Sequence, residues 1–156
     1  MDYYTIENLM DIVLRGAEIL GAKTENDGAF EIAKRSRGTP RIANRFLKRV
    51  RDYSEIRGKG IITQEIAMEA LALLGVDELG LDELDREILN GIIENYNGGP
   101  VGVETMSLLL GEDRRTLEEV YEPYLVKIGF LKRTHRGRMV TEKGYLHIGK
   151  EITVKE

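Results

Sequence analysis

The sequence predicts a mainly α-helical chain made of two small domains, a four-helix bundle over residues 1–76 and a helical domain with a β-hairpin over 77–150. Apolar residues recur at helical spacing through most of the 156 residues. This period lapses at 75–80, where glycines and acidic residues cluster. Near the C-terminus it gives way to two short strand-like runs around Gly137. Residues 151–156 are assigned to a tail.

Capping residues mark the helix starts of the first domain, and Thr5, Asp27, Thr39 and Thr63 are expected to cap the four helices in turn. Gly21 is expected to close the first helix, and the break at 58–60 the third. One face of each helix is predicted to be buried: Ile6, Leu9, Met10, Val13, Ala17 and Leu20; then Phe30, Ile32 and Ala33; then Ile42, Ala43, Phe46, Leu47 and Val50; then Ile66, Ala70, Leu71 and Leu74.

The second domain is predicted to contain three helices and a hairpin. The first helix ends at 97–99, the second runs from about Met106 to Leu110, and the third follows the turn at 111–113. Residues 130–134 and 138–141 are predicted strands joined by 135–137, where Gly137 supplies the positive φ of a tight turn. Three helices followed by a basic hairpin are typical of a winged helix. The predicted core positions are Leu84, Ile88, Ile92, Ile93 and Tyr96 on the first helix, and Leu117, Val120, Tyr121, Tyr124, Leu125 and Ile128 on the third.

Composition excludes several classes of site. The chain has no cysteine and two histidines, His135 and His147, so disulfides, thiol nucleophiles and a metal site are not expected, and both histidines are expected at the surface. No apolar run approaches the roughly 20 residues that span a bilayer, and the N-terminus lacks the features of a signal peptide. We therefore expect a soluble, cytoplasmic chain.

Charge is unevenly distributed along a chain whose net charge is −4. Residues 34–59 hold ten Lys or Arg and two acidic residues, and residues 131–150 hold six Lys or Arg and one. Because salt screens electrostatic fields beyond about 8 Å, an acidic protein can still present such islands to nucleic acid.

Arg41 occupies an unusual position in the first basic island. It falls in the first turn of the third helix, after Pro40, where the helix dipole mildly disfavours a cation. Helix stability therefore does not explain this arginine. An arginine beside a helix N-terminus would form a small phosphate-binding corner, whereas the alternative is a solvent-exposed basic helix.

The second basic island coincides with the predicted winged helix. The recognition helix would present Arg114 and Arg115 at its N-terminal end, and the hairpin carries Arg133, Arg136 and Arg138. For Arg114 and Arg115 the alternative is solvation at the helix end or ion pairing with acidic neighbours Glu118 and Glu119. Three arginines in six residues around a glycine turn have little packing role, which favours contact with a nucleic-acid backbone.

Ordered motifs extend these local patterns over nearly the whole chain. Residues 38–45 read Gly-Thr-Pro-Arg-Ile-Ala-Asn-Arg, and further motifs lie at 46–52, 82–86, 98–102, 122–125 and 129–138. This series resembles the sensor-2 segment and downstream region of the RuvB family, bacterial hexameric AAA+ ATPases that drive Holliday-junction branch migration. The resemblance implies an AAA+ lid domain followed by a winged-helix domain. His135 stands where the family commonly has proline, which puts the stiffness of the hairpin in doubt.

The resemblance also implies residue roles. Arg41 would be the sensor-2 arginine at the nucleotide phosphates, and Tyr4 would lie near the adenine, unless it merely covers the lid core. Arg114, Arg133 and Arg138 would contact DNA backbone, and Arg136 matches the same motif beside them. The implied partners are duplex DNA of Holliday junctions, further copies in a homo-hexamer, and the proteins RuvA and RuvC.

The phosphate loop of an ATPase, Gly-x-x-x-x-Gly-Lys-[Ser/Thr], does not occur in this sequence. We therefore expect no catalytic residue and no ATP hydrolysis in this chain alone. ATP or ADP with Mg²⁺ would be held mainly by an upstream ATPase domain, which would also make the RuvA contact. Two other hypotheses are a stand-alone winged-helix regulator with a helical dimerisation domain, and an adaptor whose basic faces bind an acidic protein.

Overall fold

The computed structural model describes residues 3–149, so the predicted tail at 151–156 lies outside the described residues. The chain divides into two compact units between Asp82 and Glu83. We call them the first unit and the second unit. The predicted domain boundary, between residues 76 and 77, lies six residues before this division.

The first unit is the predicted four-helix bundle. Its helices are α1 (Ile6–Leu20), α2 (Asn26–Lys34), α3 (Pro40–Arg57) and α4 (Gln64–Leu73). Their apolar faces form one core, which includes Leu9, Val13, Ile32, Leu47 and Leu71. Two short strands that were not predicted, β1 (Lys23–Thr24) and β2 (Ile61–Ile62), pair in parallel and join the loops before α2 and α4.

Two of the predicted threonine caps are confirmed. The Thr5 hydroxyl accepts a hydrogen bond from the Asn8 N–H at 3.1 Å, and the Thr63 hydroxyl accepts one from the Ile66 N–H at 3.2 Å. Gly21 closes α1 with a φ of 69°, as predicted.

The other two caps differ from the prediction. The cap at Asp27 is wrong, because the Glu25 N–H is held by the Ile62 carbonyl at 3.0 Å and α2 already begins at Asn26. Thr39 does precede α3, but its hydroxyl donates to the Arg37 carbonyl at 3.3 Å and caps no helical N–H.

Phe30 and Leu74 are not core residues, although helical spacing predicted that they would be. Gly28 lies so close to the Ile62 carbonyl that a Cβ would stand 2.5 Å from its oxygen, which fixes the buried face of α2. Phe30 lies two residues, about 200°, from Gly28 and from Ile32, and it is 40% exposed. Leu74 lies just beyond the end of α4 and is also exposed.

The second unit contains the predicted helices and hairpin. It begins with α5 (Glu83–Tyr96) and α6 (Val103–Leu110), followed by a continuous helical segment at 114–127. This recognition segment comprises α7 (Arg114–Thr116), a π-helical stretch (Leu117–Tyr121) and α8 (Glu122–Lys127). Strands β3 (Leu131–Thr134) and β4 (Gly137–Val140) pair antiparallel, and an additional helix, α9 (Glu142–Ile148), follows.

The π-helical stretch changes which side chains of the recognition segment are buried. Pro123 lacks an N–H and would clash with the carbonyl four residues earlier in a regular α-helix, and the wider π turn comes directly before this region. Val120, predicted to be buried, is 58% exposed, whereas Glu122 is fully buried. A uniform 3.6-residue period therefore fails at this point.

The hairpin turn consists of His135 and Arg136, because Gly137 already pairs with Thr134 in the strands. Gly137 has a φ of 134°, and a Cβ at this position would stand 2.5 Å from the Val101 carbonyl oxygen. The backbone at Val101 forms a bridge with Arg138 beside β4. The positive φ of residue 137 and the close approach of the Val101 backbone both require glycine at this position.

His147, which was predicted to lie at the surface, is partly buried. It belongs to the unpredicted helix α9, and its ring centroid lies 4.8 Å from that of Phe130 in a tilted arrangement. His135, in contrast, is exposed in the hairpin turn.

Candidate nucleotide and DNA interfaces

The start of α3 is joined to the N-terminal segment by a backbone hydrogen bond. The Tyr4 N–H donates to the Gly38 carbonyl at 2.8 Å, three residues before Arg41. Gly38 has a φ of 70°, and a Cβ there would stand 2.8 Å from the Cβ of Tyr3. Tertiary structure thus brings the backbone of Tyr4 beside the loop that leads into the Arg41 helix.

The side chains of Tyr4 and Arg41 are both accessible. Tyr4 is 48% exposed, and Arg41 is exposed in the first turn of α3, which contains no acidic residue. Within residues 3–149, Arg41 forms no ion pair. A cation and an aromatic ring are therefore available to a ligand on this part of the first unit.

A buried ion pair that sequence reasoning missed lies in α2 and the loop before α3. The Arg35 Nε donates to Glu31 at 2.7 Å, and its terminal nitrogen donates to the Val76 carbonyl at 3.3 Å. Lys34 lies 3.2 Å from the same carboxylate, and the Gln64 side chain donates to it at 3.4 Å. The spacing of Glu31 and Arg35, four residues apart on a helix, was the available sequence signal.

This network determines the protonation of Glu31. Burial raises the pKa of the carboxyl group, but hydrogen bonds from Arg35, Lys34 and Gln64 outweigh burial, and the pKa is lowered from its ordinary value of 4.5. The carboxylate is therefore charged at neutral pH and links α2, α4 and the segment at Val76.

In the second unit, a buried carboxylate lies beneath the hairpin. Arg133 and Arg138 are directly opposite each other on β3 and β4. The Arg138 Nε donates to both carboxylate oxygens of Glu122, at 2.7 and 3.0 Å, and a terminal nitrogen of Arg133 lies 3.5 Å from this carboxylate. Glu122 thus offsets the repulsion between two opposed cations.

The arginines at the start of the recognition segment also have acidic partners. Arg114 contacts Glu118 at 3.1 Å and Glu104 at 2.7 Å, and Arg115 contacts Glu119 at 3.1 Å. The ion-pairing alternative considered from the sequence is therefore observed for both arginines.

Arg136 differs from the other three arginines predicted to contact DNA. It is exposed in the hairpin turn, and in the part of the chain that the structure describes its side chain has no ion pair. Carboxylates connect Arg114, Arg133 and Arg138, so the structure brings these three together and leaves Arg136 outside the group.

Two further observations concern residues 3–149. No group of three or more acidic or histidine side chains is arranged to hold a metal ion. No helix among these residues combines the length and apolar character of a membrane span.

Comparison with known proteins identifies both units. Residues 4–77 match the family model described as the RuvB AAA lid domain, and residues 78–149 match the RuvB C-terminal winged helix domain. The chain belongs to the RuvB family. Its two family domains follow each other without a gap.

Similar RuvB proteins come from distant bacteria. The chain is 68% identical over 155 residues to the Holliday junction branch migration complex subunit RuvB of Fusobacterium nucleatum subsp. nucleatum, covering 99% of this chain and 46% of the relative. It is 59% identical over 147 residues to the RuvB subunit of Nostoc punctiforme, covering 94% and 40%. The chain thus spans less than half the length of these curated relatives.

A solved RuvB structure has the same fold. The Thermotoga maritima RuvB Holliday junction branch migration motor superposes with a TM-score of 0.95 at 48% identity, covering 98% of this chain and 51% of that one. The mainly α-helical architecture of a lid followed by a winged helix is therefore confirmed.

Proposed function

We propose that this chain is the C-terminal part of an ATP-dependent Holliday-junction branch-migration motor that acts in recombination and repair. The observation that carries the proposal is the succession of both RuvB domains on one chain, each with an exposed arginine at its candidate contact surface. The exposed arginine of the first unit is Arg41, and that of the second unit is Arg136 in the hairpin. The lid, residues 1–76, responds to nucleotide, and the winged helix, residues 77–150, grips duplex DNA.

The nucleotide role of the first unit falls to Arg41 and Tyr4. Arg41 is exposed and forms no ion pair within residues 3–149, so its planar guanidinium is free to bind two phosphate oxygens at once. Tyr4 offers an exposed ring for the adenine. In the full-length protein, bound ATP with Mg²⁺ supplies the free energy for movement.

A displacement at Arg41 moves a large part of the lid. Arg41 lies at the start of α3, an 18-residue helix whose buried side chains, among them Phe46, Leu47 and Val50, belong to the bundle core. Because close-packed cores resist local deformation, a displacement of the start of α3 moves the whole helical bundle as a rigid unit. The covalent connection between the two units, at Asp82 and Glu83, then transmits this motion to the winged-helix domain.

The DNA role of the second unit is a grip on phosphates that does not read bases. Residues 131–140 contain four cationic residues, Lys132, Arg133, Arg136 and Arg138, and no Asn or Gln suited to bidentate contacts with adenine. Arg114 adds a cation at the start of the recognition segment. Contacts of this type bind duplexes of different sequence with similar affinity, as a translocating motor requires.

We assign the phosphate loop, the Mg²⁺ ligands and the RuvA contact to an ATPase domain outside this chain. Accordingly, the chain alone is expected to show no ATP turnover above background. The proposed assembly is a homo-hexamer on the duplex arms of a Holliday junction, working with RuvA and RuvC in the cytoplasm.

A fusion tests this function directly. The chain is joined to the ATPase domain of the Fusobacterium nucleatum relative, and ATP-dependent branch migration is measured on a synthetic junction with RuvA. Migration that requires both ATP and Arg41 is expected. Failure of a well-folded fusion to migrate junctions, together with tight binding of the chain to one duplex sequence, would show a stand-alone regulator instead.

A further inference from the structure

Six side chains of the second unit form a line of alternating charge, which we call the charge ladder. Its successive contacts measure 2.7, 3.1, 3.8, 2.7 and 3.5 Å between the nearest nitrogen and oxygen atoms. The members, in spatial order, are Glu104, Arg114, Glu118, Arg138, Glu122 and Arg133.

The charge ladder joins elements that are distant in sequence. Glu104 lies on α6, and Glu118 lies in the π-helical stretch of the recognition segment. Arg138 belongs to β4 of the hairpin. Three carboxylates balance three guanidinium groups, so the members together have no formal net charge at neutral pH.

The three carboxylates of the charge ladder differ in accessibility. The Glu122 side chain is fully buried and holds Arg138 and Arg133 through ion pairs on their buried side. The Glu104 side chain is 79% exposed and that of Glu118 is 33% exposed. The Arg114 side chain that both carboxylates hold is 54% exposed, and the Arg138 side chain retains 17% exposure. A DNA phosphate can therefore reach Arg114 directly and Arg138 at its exposed edge.

Carboxylates and phosphates use the same guanidinium N–H groups, with similar hydrogen-bond geometry. A phosphate that binds Arg114 must therefore displace Glu104 or Glu118, or approach within reach of their negative charges. Either event weakens binding relative to that of an unpaired arginine.

We propose that Glu104 and Glu118 compete with DNA phosphates for Arg114 and Arg138 and thereby limit the affinity of the winged-helix unit for duplex DNA. This inference rests on the proposed DNA-binding function and adds to it a means of release. When a phosphate departs, an adjacent carboxylate takes its place, so the arginine never loses its partner and dissociation is fast. A domain that moves along DNA needs this property at every step.

Substitutions that replace a carboxylate by an uncharged amide test the proposal in the intact chain. Glu104→Gln and Glu118→Gln are compared with Glu142→Gln, which removes one negative charge from an exposed position of α9 outside the charge ladder. Anisotropy of a labelled duplex gives the affinity over a series of salt concentrations, and stopped-flow competition gives the dissociation rate. Thermal unfolding confirms that each variant is folded.

We expect Glu104→Gln to tighten binding about twofold and Glu118→Gln about fivefold, since the first carboxylate holds one arginine and the second holds two. Most of the gain should come from slower dissociation. The salt dependence should steepen by about 0.9 for each additional phosphate neutralised. Glu142→Gln should change affinity less than either variant.

Two outcomes separate this inference from the function on which it rests. If the parent chain binds duplex DNA but neither glutamine variant binds more tightly than Glu142→Gln, the competition is disproved and the DNA-binding function stands. If neither the parent nor any variant binds duplex DNA, the proposed function fails, and the inference fails with it.

Discussion

The Nε atom of Arg138 lies 2.7 and 3.0 Å from the two carboxylate oxygens of Glu122, a residue with no exposed surface. This contact connects the second strand of the hairpin to the recognition segment. The Arg138 side chain itself is 17% exposed. Arg138 thus combines a structural contact with residual access to solvent. A substitution of Arg138 can therefore change both the stability of the second unit and its affinity for DNA, and the two effects must be measured separately.

The first prediction concerns the stability that Glu122 provides. Glu122→Ala should destabilise the second unit by about 3 kcal/mol, since the mostly buried Arg138 would keep only the more distant Glu118 carboxylate as a partner. Glu104→Ala, which breaks an ion pair between exposed side chains, should cost less than about 1 kcal/mol. Chemical denaturation of the whole chain measures both, and equal losses would contradict the assigned role of Glu122.

The second prediction concerns Arg41 in a complete motor. Arg41→Ala should abolish ATP turnover and branch migration, and Arg41→Lys should restore little, because an ammonium lacks the bidentate fork of a guanidinium. The melting temperature should stay constant, as a cation in the first helical turn does not stabilise α3. Lys48→Ala, an exposed position of the same helix, is the control. Parental migration by Arg41→Ala would exclude the sensor-2 role.

The third prediction is a phosphate count from salt dependence. Arg133→Ala combined with Arg136→Ala should flatten the slope of log affinity against log salt by about two, equally for unrelated duplexes, since each phosphate contact contributes about 0.9. Arg138 is left intact in this variant, because its removal would also leave Glu122 without its nearest partner. An unchanged slope would mean that the hairpin does not contact phosphate.

The fourth prediction concerns stability at acidic pH. The pKa of Glu31 is lowered on folding from its ordinary value of 4.5. At a pH above 4.5, the charged carboxylate therefore stabilises the first unit. This stabilisation is lost as pH falls through the lower pKa of the folded state. Thermal unfolding of Glu31→Gln should show a deficit at neutral pH that shrinks as the pH falls below the ordinary pKa of 4.5. The exposed Glu65→Gln should show no such trend, and a deficit independent of pH would refute the ionic role of Glu31.

Much of the fold could be predicted because its determinants are local. Thr5 and Thr63 cap helices through bonds to residues three positions away, and Gly21 ends a helix through its own backbone conformation. The 3.6-residue period then located most core positions of the bundle. Motif order also indicated the family, since ordered residues over the whole chain carry that information without any coordinates.

Predictions failed where the spacing of apolar residues and the capping residues do not decide the outcome. The Asp27 cap was wrong because Ile62, far along the chain, holds the Glu25 N–H and starts α2 early. Val120, predicted to be buried, is exposed because the helix widens into a π turn just before Pro123. Neither the early start of α2 nor the π turn changes the 3.6-residue spacing from which buried positions were inferred.

The helical bundle, the winged helix and the four candidate DNA-contact arginines can all be inferred from the order and spacing of residues along the chain. Which of these arginines are ion-paired depends on tertiary packing, because the partners of Arg114 and Arg138 include Glu104 and Glu122, ten and sixteen positions away. Ion pairing depends on distances of a few ångströms between side chains from different elements. Helical period and capping carry no information about those distances until the elements are packed.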